Sequence, residues 1–364
     1  MRLERVRVET LDVPFREPVI GGARRWEHHR AGIIVLETND GRRALGEFPA
    51  PRPNDLGEDV SPRLQTRLQG LEMADPVSVE GVLREIDRWP FVGRAARSAV
   101  ETAFVDLMAQ VNGKAVSTYL HPQAADTVRV NALVGIDAPE VAAAAAAALV
   151  ADGYRCLKLK AGAEPDEALE ARVSAVREAV GPDVALRLDF NGSLPTDVAA
   201  DVLASVADLD IEYAEQPIAP SAGAEALARL RWTGAVPVAA DESVRDLGAA
   251  RVLLETGAVD ALVVKPARVG GLRQAAAIVE LATGASVPVT VSTLFETGVG
   301  LTAATHLAAV TPGPQAHGLA TAGLLESDLL ATPLAVADGH LPVPPGPGLG
   351  VELDEGALAR YRAT

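Results

Sequence analysis

The sequence predicts a TIM-type (β/α)8 barrel carrying an N-terminal α+β capping domain, and two observations lead there. From about residue 128 onward, short β-rich runs alternate with Ala/Leu-rich helical stretches, whereas before residue 125 strands come first and helices follow. A chain of 364 residues, at about 150 per domain, accommodates one large domain or two unequal ones.

In the expected cap, 1–125, the stretches 3–15, 32–39 and 43–49 alternate in polarity or are rich in β-branched residues. Asn39-Asp40-Gly41 supplies a hairpin turn between the last two. Apolar residues then recur at helical spacing between 77 and 120, as in Ala99, Ala103, Leu107 and Val111, which predicts two or three helices on a small antiparallel sheet. The barrel is expected over 126–320. Its strand runs are Val128–Val134, Cys156–Lys160, Ala185–Phe190, Ile211–Glu215, Val236–Ala240, Ala261–Val264, Val287–Ser292 and a weaker Gln315–Leu319. Eight units over about 190 residues suit a closed barrel, with an open doubly wound sheet as the competing layout. Residues 321–364 break the rhythm, and their rigid passage Leu341-Pro342-Val343-Pro344-Pro345-Gly346-Pro347 belongs to a segment expected to return to the cap.

Composition narrows the partners. With 48% hydrophobic and 23% charged residues and a mean hydropathy of +0.16, the chain can bury a large core and is too apolar for disorder. A net charge of −16 repels phosphate backbones and anionic headgroups, so neither nucleic acid nor a membrane is an expected partner. The apolar run Val141–Ala151, with its seven consecutive alanines, is far shorter than the roughly 20 residues of a membrane helix. The N-terminal alternation lacks the apolar run of a signal peptide, and the single cysteine, Cys156, fits a reducing compartment. A soluble cytoplasmic protein is expected, and a homo-oligomer is compatible with the sequence.

Chemistry enters through charged residues at the ends of successive runs: Lys160, Asp189, Glu215, Asp241, Lys265 and Glu296, spaced 24 to 31 residues apart, about one βα unit each time. In a barrel these side chains converge on the face formed by the strand ends, where barrel enzymes keep their active sites. Three carboxylates brought together repel unless a cation sits among them, and hard oxygen ligands select Mg2+ or Mn2+. For one acid alone a solvated strand end is the plainer reading; three at consecutive strand ends favour a metal. Lys158 and Lys160, two apart in a strand, point to the same face, where each lowers the pKa of the other and readies a base. An edge strand with snorkelling lysines is the alternative. Lys265 is four units further on and is expected to face the pair across the mouth. Such a site would bind a small-molecule carboxylate and remove its α-proton, with metal and ammonium neutralising the enediolate.

These residues give the chain a resemblance to the enolase superfamily, and within it to the muconate-lactonizing subgroup, over nearly its whole length. The resemblance implies that Asp189, Glu215 and Asp241 bind Mg2+, that Lys160 and Lys265 are an acid/base pair on opposite faces with Lys158 assisting, and that Asn191 and Glu242 support the ligands. The mandelate-racemase subgroup carries a His–Asp dyad where this chain has Lys265 and Ser292-Thr293-Leu294-Phe295-Glu296. The stretches Val291–Gly300 and Pro314–Thr321 are similar to the seventh- and eighth-strand regions of o-succinylbenzoate synthases, and the Asp-x-Asp pair usual in dipeptide epimerases is absent. That likeness implies dehydration of a cyclohexadiene carboxylate (SHCHC) to o-succinylbenzoate in menaquinone biosynthesis. Lys160 would remove the α-proton and protonate the leaving hydroxyl, Lys265 would stabilise the enediolate, and Ser292, Thr293 and Glu296 would contact substrate. Some members racemise N-succinylamino acids, so a racemase or another muconate-cycloisomerase-like epimerase is the alternative, and a non-catalytic metal-binding barrel the third.

Other features carry less. In Gly21-Gly22-Ala23-Arg24-Arg25-Trp26-Glu27-His28-His29-Arg30, expected to be a lid loop, Arg24 or Arg25 would pair with the succinyl carboxylate of the substrate, or the segment is simply a basic surface loop. His28 and His29 are read as surface residues, and Cys156 as a buried small residue. Gly298-Val299-Gly300 imitates a dinucleotide fingerprint without its first-strand context.

Overall fold

The computed structural model describes residues 2–21, 24–50, 59–71, 79–162 and 166–363. Strands β1 (Leu3–Gly21), β2 (Arg24–Thr38) and β3 (Arg43–Pro49) form an antiparallel sheet in that order, with a turn at Asn39-Asp40-Gly41. Both long strands exceed their expected length. β1 continues past Pro14 through a register shift and pairs Val19 with Trp26, so the polar residues before Ala31 are strand despite lacking apolar alternation. Helices α1 (Ser61–Gln69), α2 (Val79–Ile86), α3 (Arg94–Val111) and α4 (Val116–Leu120) follow. The sequence pattern concealed α1, because only Leu64 and Leu68, one i,i+4 pair, are its buried apolar positions. α3 lies directly on β3: a Cβ at Gly46 would stand 2.0 Å from the Ala99 carbonyl oxygen, so only glycine permits the approach.

The second region is a curled parallel sheet whose strands run β5 (Ala132–Val134), β6 (Cys156–Lys160), β7 (Ala185–Asp189), β8 (Ile211–Glu215), β9 (Val238–Ala240), β10 (Ala261–Val264) and β11 (Val289–Val291), adjacent in sequence order. Its connecting helices are α5 (Pro139–Ala151), α6 (Asp166–Val180), α7 (Ala199–Ser205), α8 (Ala224–Arg231), α9 (Leu247–Glu255), α10 (Pro266–Val269), α11 (Leu272–Gly284) and α12 (Gly298–Ala308). This monotonic order is that of a barrel and excludes the doubly wound alternative, whose strand order reverses.

Closure departs from regular strand pairing. The run 128–134 splits: β4 (Thr127–Arg129) pairs antiparallel with β12 (His340–Pro342), and only β5 joins the barrel. The eighth position, 315–319, makes two isolated parallel bridges, Val130↔His317 and Ser292↔Gly318. Side chains complete this seam. Gln315 Nε2 donates to the Val289 carbonyl at 2.7 Å, His317 Nδ1 accepts from the Val291 N–H at 3.0 Å, and Arg187 Nη1 donates to the Ala316 carbonyl at 2.8 Å. Arg187 is fully buried, pairs with Glu212 at 2.6 Å and lies 4.7 Å from the Tyr213 ring centre.

The tail touches both regions. Beyond β12, α13 (Glu355–Tyr361) lies against β1, where Glu355 pairs with Arg7 at 3.0 Å and Arg362 with Glu9 at 2.7 Å. No described helix is long and apolar enough to cross a membrane.

Candidate active site

Register assembles the site. Lys160, Asp189 and Glu215 are the last residues of β6, β7 and β8 and stand side by side, paired Lys160↔Asp189 and Asp189↔Glu215. Asp241 follows β9, and Lys265 follows β10, the sixth of eight barrel positions against the second for β6, so the two lysines lie half a barrel apart. The acids are buried, 0 to 1% exposed.

Lysine ammoniums neutralise the acids. Lys158 Nζ lies 2.9 Å from Asp189 and 3.1 Å from Glu215; Lys160 Nζ lies 2.8 Å from Asp189 and 2.9 Å from Asn191 Oδ1; Lys265 Nζ lies 2.7 Å from Asp241, which also pairs with Arg268. Burial alone would lower the Lys158 pKa, but Asp189, Glu215 and Asp241 outweigh it and hold the ammonium well above its ordinary value. Mutual depression of the two lysines, expected from their spacing, is therefore not what governs Lys158. Burial opposes ionisation of Asp189 as well, and Lys158 and Lys160 overcome it, so its pKa is lowered. Glu215 goes the other way: burial and the neighbouring Asp189 charge push it up to about 7.

Among the described residues no three His, Cys, Asp or Glu side chains stand together at metal-ligand geometry. The donor set nonetheless fits a hard divalent cation. Three carboxylates are grouped with Lys158 between two of them, and Glu215, raised by burial and then by the Asp189 charge, would be held ionised by a cation.

Asp189 and the lysines open into a cavity of about 910 Å3 between cap and barrel, lined by Lys158, Lys160, Asp189, Asn191, Glu242, Lys265, Ser292 and Thr293 among others, while Glu215 and Asp241 are buried outside its lining. Asn191 Nδ2 donates to Glu242 at 3.2 Å, linking two of the supporting residues. Glu296 is not part of the lining: it is buried, and its pKa is raised by that burial and by nearby Glu47. Its carboxylate folds back to accept from the Leu294 N–H, across a Phe295 that adopts a left-handed φ of 66°. Arg25 is exposed and pairs loosely with Glu27 at 3.5 Å, and the side chain of Arg24 lies outside the described residues. His28 pairs with Asp12 at the surface, but His29 is buried and lines the cavity, correcting the expectation that both are surface residues. Neighbours in a strand face opposite ways, so one of the two had to point inward. Cys156 is buried with its thiol pushed up to about 12 by that burial, hence inert.

Two site residues escaped the sequence reading. Arg268, one turn beyond Lys265, shares Asp241 with it; a cation three residues after a strand-end lysine is the available signal. Gln216 is fully buried, accepts from the Asp241 and Ser243 N–H groups at 3.1 and 3.0 Å, and so ties the end of β8 to that of β9. Phe15, Trp26 and Phe295 add an aromatic wall, with the Phe15 and Phe295 rings edge to face at 5.7 Å.

Fold and site together define a capped barrel whose mouth sets lysines on opposite sides of clustered carboxylates. The family model described as Enolase C-terminal domain-like matches residues 140–357, and the chain belongs to that family, as an enzyme of the enolase superfamily with relatives of the muconate-lactonizing type. It is 40% identical over 221 residues to o-succinylbenzoate synthase of Thermobifida fusca (strain YX), which spans 60% of this chain and 67% of that protein. It is 31% identical over 368 residues to muconate cycloisomerase 1 of Rhodococcus opacus, 98% of each chain. The solved dipeptide epimerase from Enterococcus faecalis V583, complexed with Mg and the dipeptide L-Leu-L-Tyr, aligns at a TM-score of 0.88 with 28% identity, covering 97% of this chain and 100% of that one.

Proposed function

We propose that this enzyme removes the α-proton of a carboxylate substrate with Mg2+ as cofactor, and that its reaction is the syn-dehydration of SHCHC to o-succinylbenzoate. The observation that carries the reading is the pair Lys160 and Lys265, on opposite sides of Asp189, Glu215 and Asp241. The likeness to the Thermobifida fusca synthase supports the substrate.

Asp189, Glu215 and Asp241 would hold Mg2+, with Mn2+ as a substitute, and the ion supplies positive charge to the substrate carboxylate. Lys160 as the neutral amine takes the α-proton at Nζ, and Asn191 Oδ1 orients that nitrogen. The Lys265 ammonium, on the far side, stabilises the enediolate, with Lys158 adding a further positive charge beneath the mouth. Lys160 then returns its proton to the leaving hydroxyl on the same face: the C–H and C–O bonds break, a C=C bond forms, and water departs. Ser292 and Thr293 contact the substrate from the cavity wall.

A second reading follows from the same pair. If Lys265 instead delivers a proton to the opposite face, the product is the inverted α-carbon of an N-succinylamino acid. Incubation with Mg2+ in deuterated water, with SHCHC or with an N-succinylamino acid, separates the two. Consumption of SHCHC supports the dehydratase, α-deuteration with inversion supports the racemase, and inertness toward both with Mg2+ still bound would refute each.

A further inference from the structure

We propose that Arg172, on α6, is a positioning residue that holds the backbone of Lys160, an inference resting on the reading of Lys160 as the base. The ladder between β5 and β6 stops at Val134↔Leu159, one rung short of Lys160. At the next rung the Arg172 guanidinium donates from Nη2 to the Lys160 carbonyl at 2.6 Å and from Nη1 to the Gly135 carbonyl at 3.4 Å. A planar fork of donors takes over where backbone pairing ends. Arg172 is 1% exposed, and a guanidinium so deeply buried is costly unless its donors are used.

Arg172 does not line the cavity, so it does not touch substrate. Its reach ends on the peptide that carries the base, while the far end of that side chain is fixed by Asp189 and Asn191 at 2.8 and 2.9 Å. Lys160 is thus gripped at both ends. Gln216 performs the same office between β8 and β9, where its side chain ties Asp241 and Ser243. A misplacement of the base by about 1 Å costs on the order of 10²-fold in rate. The carboxylates and cavity walls stay where they are, so the loss should fall on kcat.

The test compares Arg172→Met and Arg172→Lys in the full-length protein by steady-state kinetics, Mg2+ titration calorimetry and hydrogen exchange at residues 158–162. Arg172→Met should lower kcat by about 10²-fold, with KM and Mg2+ affinity unchanged and exchange faster at 158–162 but not along β8. Arg172→Lys, which retains one donor for the Lys160 carbonyl, should recover part of both. Wild-type kcat together with wild-type exchange at 158–162 would overturn the proposal. So would a uniform loss of protection across the barrel in Arg172→Lys, the variant that decides if Arg172→Met does not fold. Should the wild-type protein turn over neither substrate, the proposed function fails, and local exchange still decides whether Arg172 holds this strand end.

Discussion

Two sectors of this barrel meet the same need, holding strand ends together, by different means. In the β6–β7–β8 sector a continuous ladder places Lys160, Asp189 and Glu215 side by side. At the seam between β11 and β5, residues 315–319 contribute two isolated bridges, and Arg187, Gln315 and His317 supply much of the remaining bonding. Where the backbone pairs, a side chain's place follows from counting along the strand. Where side chains close the gap, it follows from which polar group reaches which carbonyl. The first sector should therefore fail chemically when altered, and the second should fail by unfolding.

The largest expected effect lies in the ladder sector. Lys160→Ala should reduce turnover by about 10²- to 10⁴-fold while the urea transition stays cooperative, as assays beside denaturation curves will show. Arg187→Met should do the converse, costing about 1–3 kcal/mol for each buried acceptor it leaves without a donor, the Ala316 carbonyl and Asn131 Oδ1, and opening the seam. Collapsed turnover at wild-type stability in that variant would erase the distinction between the sectors.

The next effect is a pH dependence to which the seam contributes through His317. Burial, helped by Arg187, pushes His317 down to about 3, and its Nδ1 is committed as an acceptor to the Val291 N–H. A histidine whose folded pKa lies below its unfolded value of about 6.5 leaves stability intact above that pH and withdraws it as the pH falls toward the folded value. By pH 5 the loss from His317 is about 2 kcal/mol, and His317→Asn, which keeps an acceptor near Nδ1, should remove that part of the limb in urea titrations while buried His306, lowered to about 4, keeps its own. Smallest is Gln315→Ala, where the hydrogen bonds to the Val289 carbonyl and, near the surface, to the Pro312 carbonyl are lost, about 1 kcal/mol by the same titration.

The same contrast explains what the sequence disclosed. The two lysines of β6, the three acids and Lys265 could be placed because strand period and βα spacing determine where they stand. Gln216, Arg268 and Arg172 could not, since each acts by reaching from its own element to a neighbour's. Glu296 lies outside the cavity lining, beyond a left-handed Phe295 that spacing does not reveal. The split of 128–134 into β4 and β5 depends on β12, some 200 residues later, and no local pattern announces it.

The central claim is that opposed lysines across the barrel mouth move the α-proton of a carboxylate. The direct measurement is loss of that proton in deuterated water with Mg2+, comparing the wild-type protein, Lys160→Ala and Lys265→Ala on SHCHC and on an N-succinylamino acid. The account predicts proton loss with the wild-type protein and none with Lys160→Ala at intact Mg2+ affinity; proton loss persisting at the wild-type rate in Lys160→Ala would contradict it.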